Sequence, residues 1–159
     1  MKKIIIIWTV VLLSLTAFTS SAFSQSYKQS IGLRVGYWPS ISYKLNLSQK
    51  NFVNVSCNFG FKDKITPMVS GFYEWQWNVS DIDGLTWYAG PGVYLGTYYY
   101  NDNNYDGIHG YMSINVMVGI EYKFPEIPLA ISMDYTPGFS LTHQADASYG
   151  GGLCIKYCF

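Results

Sequence analysis

The sequence predicts an all-β fold: an eight-stranded antiparallel up-and-down transmembrane β-barrel after an N-terminal signal peptide. Three observations predict it. From Gln25 onward, apolar and polar side chains alternate with a period of two, which a strand sorts into two coherent faces and a helix would scatter. The polar faces are made of Gly, Ser, Asn and Tyr, in a chain only 13% charged, whereas a solvated exterior would carry more Lys and Glu. Aromatic residues reach 18% and gather at two levels of the strands, as amphipathic rings do at the two interfaces of a bilayer.

The chain opens with Lys2 and Lys3, continues through a mostly apolar run from Ile4 to Phe18, and then has small residues from Ser20 to Ser24 broken by Phe23. This is the build of a secretory signal peptide. Its apolar core is shorter than the roughly 20 residues of a spanning helix. Cleavage after Ser24, with Ala22 two places earlier, makes residues 1–24 the signal and residues 25–159 one barrel domain. No later stretch has the length and apolarity of a spanning helix, so insertion must be by strands.

The first strand alternates Ile31, Leu33, Val35 and Tyr37 with Gly32, Arg34, Gly36 and Trp38, and Trp38-Pro39-Ser40 reverses it. The second sets Ile41, Tyr43, Leu45 and Leu47 against Ser42, Lys44, Asn46 and Ser48, and turns at Ser48–Asn51. The third sets Val53, Val55, Cys57, Phe59 and Phe61 against Asn54, Ser56, Asn58 and Gly60, and Lys62-Asp63-Lys64 closes it. The fourth, Ile65–Trp77, places Val69, Gly71, Tyr73, Trp75 and Trp77 opposite Ser70, Phe72, Glu74 and Gln76, with Pro67 marking an end or bulge. After a loop from Asn78 to Gly84, the fifth, Leu85–Tyr99, faces Leu85, Trp87, Ala89, Val93 and Leu95 one way and Tyr88, Gly90, Gly92, Tyr94, Gly96 and Tyr98 the other. Rings beside glycines suit a narrow interior. The polar stretch Asn101–Gly107 reads as an exposed loop.

The sixth strand, Ile108–Phe124, is the clearest. Its even positions are Ile108, Gly110, Met112, Ile114, Val116, Val118, Ile120, Tyr122 and Phe124; its odd positions include His109, Ser113, Asn115, Glu121 and Lys123. Pro125 to Pro128 stops it. The seventh sets Leu129, Ile131, Met133, Tyr135 and Phe139 against Ala130, Ser132, Asp134, Thr136, Gly138 and Ser140; a loop from Leu141 to Ser148 follows. The eighth, Tyr149–Phe159, alternates Leu153, Ile155, Tyr157 and Phe159 with Cys154, Lys156 and Cys158. An even strand count brings both mature ends to one side, the periplasmic one.

Alternation alone also suits a water-soluble barrel with its greasy side inward, or a sandwich with rings in its core. The polar face decides: its charges, Arg34, Lys44, Glu74, Glu121, Lys123, Asp134 and Lys156, are few and mixed in sign, as in a closed interior network. The rings give the orientation. Trp75, Trp77, Trp87, Tyr122, Phe124, Tyr157 and Phe159 fall outward near the periplasmic side, and Tyr37, Phe61, Tyr99, Phe139 and Tyr149 near the opposite rim.

This pattern resembles the small outer-membrane barrels of the OmpA and OmpX type over the whole mature chain. The run Leu153-Cys154-Ile155-Lys156-Tyr157-Cys158-Phe159 is similar to the C-terminal aromatic signal that the outer-membrane assembly machinery recognises. Gly84–Gly92 and Gly119–Phe124 are similar to segments of short bacterial barrel proteins. The resemblance implies a bacterial outer-membrane location with lipid as the surrounding partner. Nothing follows Phe159, so the cell-wall-binding domain of full OmpA proteins is not expected.

Formal net charge is zero, which offers no surface for nucleic acid. The sequence implies no cofactor and no metal: His109 and His143 lie far from Cys57, Cys154 and Cys158, and Gly90, Gly92 and Gly96 precede no helix that could cradle phosphate. Cys154 and Cys158 are about 13 Å apart at strand rise, too far to pair with each other. The expected function is non-enzymatic: a monomeric structural or surface-interaction barrel whose interior is plugged by side chains. Two alternatives stand beside it. One is a narrow solute or ion pore. The other is a lipid acyl transferase or deacylase using His143 and Ser148, with Asp146 to orient the imidazole. The deacylase pattern of such barrels would need Ser where Ala145 stands.

Overall fold

The structure, a computed structural model, describes residues 27–60, 66–79, 82–102, 105–142 and 147–159. The expectations for residues 1–24, for Phe61, for Lys62-Asp63-Lys64, and for His143 and Asp146 lie outside the described residues. Ten strand segments run in chain order: β1 (Gln29–Gly36), β2 (Ser40–Ser48), β3 (Asn51–Gly60), β4 (Thr66–Asn78), β5 (Leu85–Asp102), β6 (Tyr105–Lys123), β7 (Leu129–Tyr135), β8 (Gly138–Ser140), β9 (Ala147–Ser148) and β10 (Gly151–Cys158).

They make eight staves. β7 and β8 are one stave, since both pair with β6, at Val118–Lys123 and at Ser113–Asn115. β9 and β10 are another, pairing with β8 and β7 respectively. The interruption in the first lies at Thr136-Pro137, where proline cannot donate to a ladder. Thr136 and Gly150 nonetheless exchange both backbone hydrogen bonds, at 2.8 and 3.2 Å, and the Pro137 carbonyl accepts from Val116 at 2.9 Å, so the wall is continuous. All neighbours are antiparallel, and β1 closes the ring against β10 from Ser30↔Cys158 to Gly36↔Gly152. The result is a closed eight-stranded antiparallel barrel.

The expected loop at Asn101–Gly107 is corrected. The β5–β6 ladder continues through Tyr100↔Gly107, Asn101↔Asp106 and Asp102↔Tyr105. Backbone groups make a ladder, so a polar composition signals solvent rather than an end to pairing. Opposite this hairpin tip, Gly84 turns the chain into β5 with a φ of 84°, where a side chain would be strained, and its carbonyl accepts from Lys123 N at 2.9 Å.

Polarity across the wall is inverted relative to a water-soluble fold. Leu33, Val35, Leu153 and Ile155 are 62–72% exposed on the outside, whereas Lys44, Glu74, Glu121 and Lys156 are at most 3% exposed within. In β6 the rows separate by parity: Met112, Ile114, Val116, Val118 and Ile120 face out, and Ser113, Asn115, Met117, Gly119 and Glu121 face in. Phe52, Met68, Phe72, Tyr88, Tyr94 and Met117 are buried in the interior beside the polar groups. Glycines seat two of these rings, since a Cβ on Gly92 would strike Phe72 and one on Gly119 would strike Tyr88. Gly90 and Gly96 instead admit a neighbouring backbone, that of Tyr73 and of Pro67-Met68.

Candidate functional site in the barrel interior

Alternate staves supply one charged side chain each to a common layer: Lys44 from β2, Glu74 from β4, Glu121 from β6 and Lys156 from β10. Inward parity puts them there, and register sets who meets whom. Lys44 Nζ lies 3.0 Å from Glu74 Oε2 and 3.6 Å from Glu121 Oε2, and Lys156 Nζ donates to Glu121 Oε2 at 2.5 Å. Neutral donors add to the shells: Asn54 Nδ2 donates to Glu74 Oε1 at 2.8 Å, and Gln76 Nε2 to Glu121 Oε1 at 3.3 Å. Lys44 stands between the rings of Phe52 and Tyr88, 4.6 and 4.7 Å from their centres, and Lys156 lies 5.5 Å from that of Tyr88. Negative ring faces and carboxylates together replace the water that these ammonium groups lose.

Arg34 and Asp134 form a separate ion pair across the lumen. Near them, Tyr94 and Thr136 hydroxyls are 3.4 Å apart, and Asn115 Nδ2 donates to the Thr136 carbonyl at 3.1 Å. Arg34, Lys44 and Lys156 thus meet Glu74, Glu121 and Asp134, a cluster balanced in charge. Lys123, the seventh residue expected in the network, is half-buried, with its ammonium 5.9 Å from the Tyr27 ring. Two residues beyond Glu121, it has reached the mouth where Gln29 and Phe159 meet, here termed the lower mouth.

On the outer face, rings lie toward the lower mouth and toward the upper one, with Tyr135, opposite Val118, between them. At the lower level Trp77 and Trp87, paired across β4 and β5, stack with centroids 4.2 Å apart. Trp75 meets Tyr73 edge-on at 5.4 Å, Tyr122 meets Phe124 at 5.1 Å, and Tyr157 lies 6.1 Å from Phe159. At the upper level Tyr37, Phe139 and Tyr149 are all more than half exposed. Tyr99 lies in β5 opposite Ile108; its side chain is not among those described.

Two residues at the mouths carry more than the sequence suggested. Trp38, in the bend after β1, lies over Gly60 and Gly150 at the upper mouth, where a Cβ on either would stand 2.7 or 3.3 Å from its ring. Tyr27, which precedes the first alternating residue and so gave no periodic signal, is buried at the lower mouth and donates to Glu121 Oε1 at 2.6 Å. Burial, then the Glu121 charge, hold its phenol protonated well above the ordinary tyrosine range.

Ser148 is corrected. It was expected on a solvated loop; it sits in β9, faces inward and is buried, 2.8 Å from the Tyr111 hydroxyl, and accepts from Asn115 Nδ2 at 3.2 Å. Pairing of Ala147 and Ser148 with β8 turns it into the lumen. His109 is half-buried in β6 opposite Tyr98. The cysteines are free thiols: Cys57 points outward, and Cys154 and Cys158 are buried within. Among the described residues, no group of three His, Cys, Asp or Glu side chains is placed to hold a metal ion.

No protein-family model matches the chain, and no curated protein matches it. Among solved structures, the crystal structure of the N-terminal β-barrel domain of Pseudomonas aeruginosa OprF is similar to it, with a TM-score of 0.63 at 15% identity. The alignment covers 85% of this chain and 100% of that one. At this identity the likeness is one of fold, an eight-stranded antiparallel barrel.

Proposed function

We propose that this chain is an integral barrel protein of a bacterial outer membrane, non-enzymatic, with a structural or surface-interaction role and an interior plugged by its own side chains. The observation that carries this reading is the inverted polarity: aliphatic rows cover the outside while six ion-paired side chains are enclosed. In water, an apolar belt of that extent would drive association; in hydrocarbon it is solvated, and every backbone polar group of a closed barrel is paired. Rings toward both mouths on the outer face fit two lipid interfaces, and the similarity to the OprF barrel domain supports the location.

Both mature ends would then lie in the periplasm, with residues 1–24 removed as a signal peptide and the Phe159 segment read by the assembly machinery. The monomer suffices, because a closed ring has no free wall edge to share. A filled lumen is supported by the way Phe52, Phe72, Tyr88, Met68 and Met117 pack between and beside the charged groups. The inward, hydrogen-bonded setting of Ser148 gives no support to acyl transfer at the rim.

The test is to express the full chain in a Gram-negative host, extract the outer membrane, and compare gel migration with and without boiling. A folded barrel migrates differently once boiled, and the purified protein in planar bilayers then shows no steady unit conductance. A band insensitive to heat, or recovery in the soluble fraction, contradicts the location; stable open channels contradict the plug.

A further inference from the structure

Tyr27 belongs to no strand, yet it is only 7% exposed. Its ring lies 5.9 Å from that of Phe52 on β3 and packs in one cluster with Ala130 of β7 and Cys158 of β10. Its hydroxyl reaches Glu121 on β6, and its carbonyl accepts from Asn46 Nδ2 of β2 at 3.4 Å. One residue thus meets three staves directly and shares a buried cluster with two more. In a barrel this narrow, such a side chain lies across the lumen rather than along the wall.

Its attachment differs from that of the wall. The backbone ladder begins one residue later, where the Lys28 carbonyl accepts from Asn46 N at 2.8 Å and Gln29 exchanges both bonds with Phe159 at 2.9 Å. Rotation about the Lys28 backbone would withdraw the ring while every strand pair from Gln29 onward stayed made. The ring shares a cluster with the Cys158 side chain, and its hydroxyl meets the Glu121 carboxylate, which in turn holds Lys156.

We propose that Tyr27 is a detachable stopper of the lower mouth. Seated, its ring closes that mouth and its hydroxyl latches onto Glu121. Withdrawn, it opens a water path from the mouth to Glu121, Lys156 and Cys158. The mouth therefore has two states, set by Tyr27 and the backbone of Lys28 and independent of the wall. This rests on the reading of the molecule as a lipid-embedded barrel with a filled interior.

The native cysteines supply the test. Three versions of the full chain each keep one thiol: Cys158 alone (Cys57→Ala, Cys154→Ala), Cys154 alone (Cys57→Ala, Cys158→Ala) and Cys57 alone (Cys154→Ala, Cys158→Ala). Each is folded into phospholipid nanodiscs, where both faces meet solvent, and treated with a charged, membrane-impermeant methanethiosulfonate. With Tyr27 present, Cys158 reacts far more slowly than in the urea-unfolded chain. Tyr27→Phe keeps the ring but loses its hydrogen bond to a charged group, and raises the Cys158 rate about 10-fold through the larger withdrawn population. Tyr27→Ala raises it further, while Cys154 stays protected in both.

A Cys158 rate already as fast as in the unfolded chain, or one unchanged by Tyr27→Ala, overturns the stopper. Equal acceleration of Cys154 also overturns it, since the whole barrel would then have loosened. Should Tyr27→Ala lose the heat-dependent gel shift, the Tyr27→Phe rate decides alone, an unchanged rate refuting the latch. Cys57 reports on the underlying reading separately: a reactive Cys57 contradicts a lipid-facing exterior and leaves the Cys158 result standing.

Discussion

Replacing Glu121 with leucine tests the interior by removing its most connected anion. Glu121 accepts from Lys156 at 2.5 Å, Tyr27 at 2.6 Å and Gln76 at 3.3 Å, and lies 3.6 Å from Lys44. Lys44 keeps Glu74 at 3.0 Å, but Lys156 loses its ion partner while only 3% exposed. Breaking a buried pair by removing one member costs about 3–5 kcal/mol, because the remaining charge stays desolvated. With a urea slope of about 2 kcal/mol per molar, Glu121→Leu lowers the unfolding midpoint by roughly 2 M. The double variant Glu121→Leu, Lys156→Met removes both charges, and most of that loss is recovered, because apolar replacement of a whole buried pair is close to neutral. The assay is urea unfolding in detergent micelles, followed by tryptophan fluorescence and by the heat-dependent gel shift. A single variant with an unmoved midpoint, or a double variant no more stable than the single one, would refute the reasoning.

Other outcomes follow from the same structure. Val116, 48% exposed midway along β6, lies on the outer face, so with lipid there as proposed Val116→Arg destabilises the barrel by about 2–4 kcal/mol in bilayers; a smaller effect than Arg placed at exposed Leu47 near a strand end would be the wrong order. Trp77→Ala removes the ring stacked at 4.2 Å on Trp87 and costs about 1 kcal/mol beyond the lost area, read from a double-mutant cycle with Trp87→Ala. Ser148→Ala leaves the acylation pattern of envelope lipids, measured by mass spectrometry in cells expressing the protein, the same as with the unaltered chain. A change that appears on expression and disappears in Ser148→Ala would instead support acyl transfer.

The staves were legible because a closed wall has one physical rule, side chains alternating between its two faces, and most of the described strand residues obey it. The same parity named Arg34, Lys44, Glu74, Glu121, Asp134 and Lys156 as inward-facing. It could not say that Glu121 meets Lys156 rather than Arg34, because partners across a lumen depend on how far each strand is staggered around the ring. Phe52 was missed as an inner ring since it occupies an otherwise polar row. Tyr27 was missed because a residue ahead of the first strand has no period to betray it. Asn101, Asp102 and Tyr105–Gly107 read as loop because sequence shows hydration, whereas the ladder depends on a register set further down β5 and β6. Ser148 was displaced from the rim by two residues of pairing with β8, too short a segment to carry a pattern.

The central claim is that lipid surrounds the aliphatic rows and the charged rows are enclosed. Nitroxide labels placed singly from residue 112 to 121, in protein reconstituted into bilayers, test it most directly through collision with oxygen and with a water-soluble nickel complex. The account predicts high oxygen and low nickel accessibility at Met112, Ile114, Val116, Val118 and Ile120, with both low at the odd positions between them. Nickel accessibility at the even positions would contradict it and turn the barrel inside out.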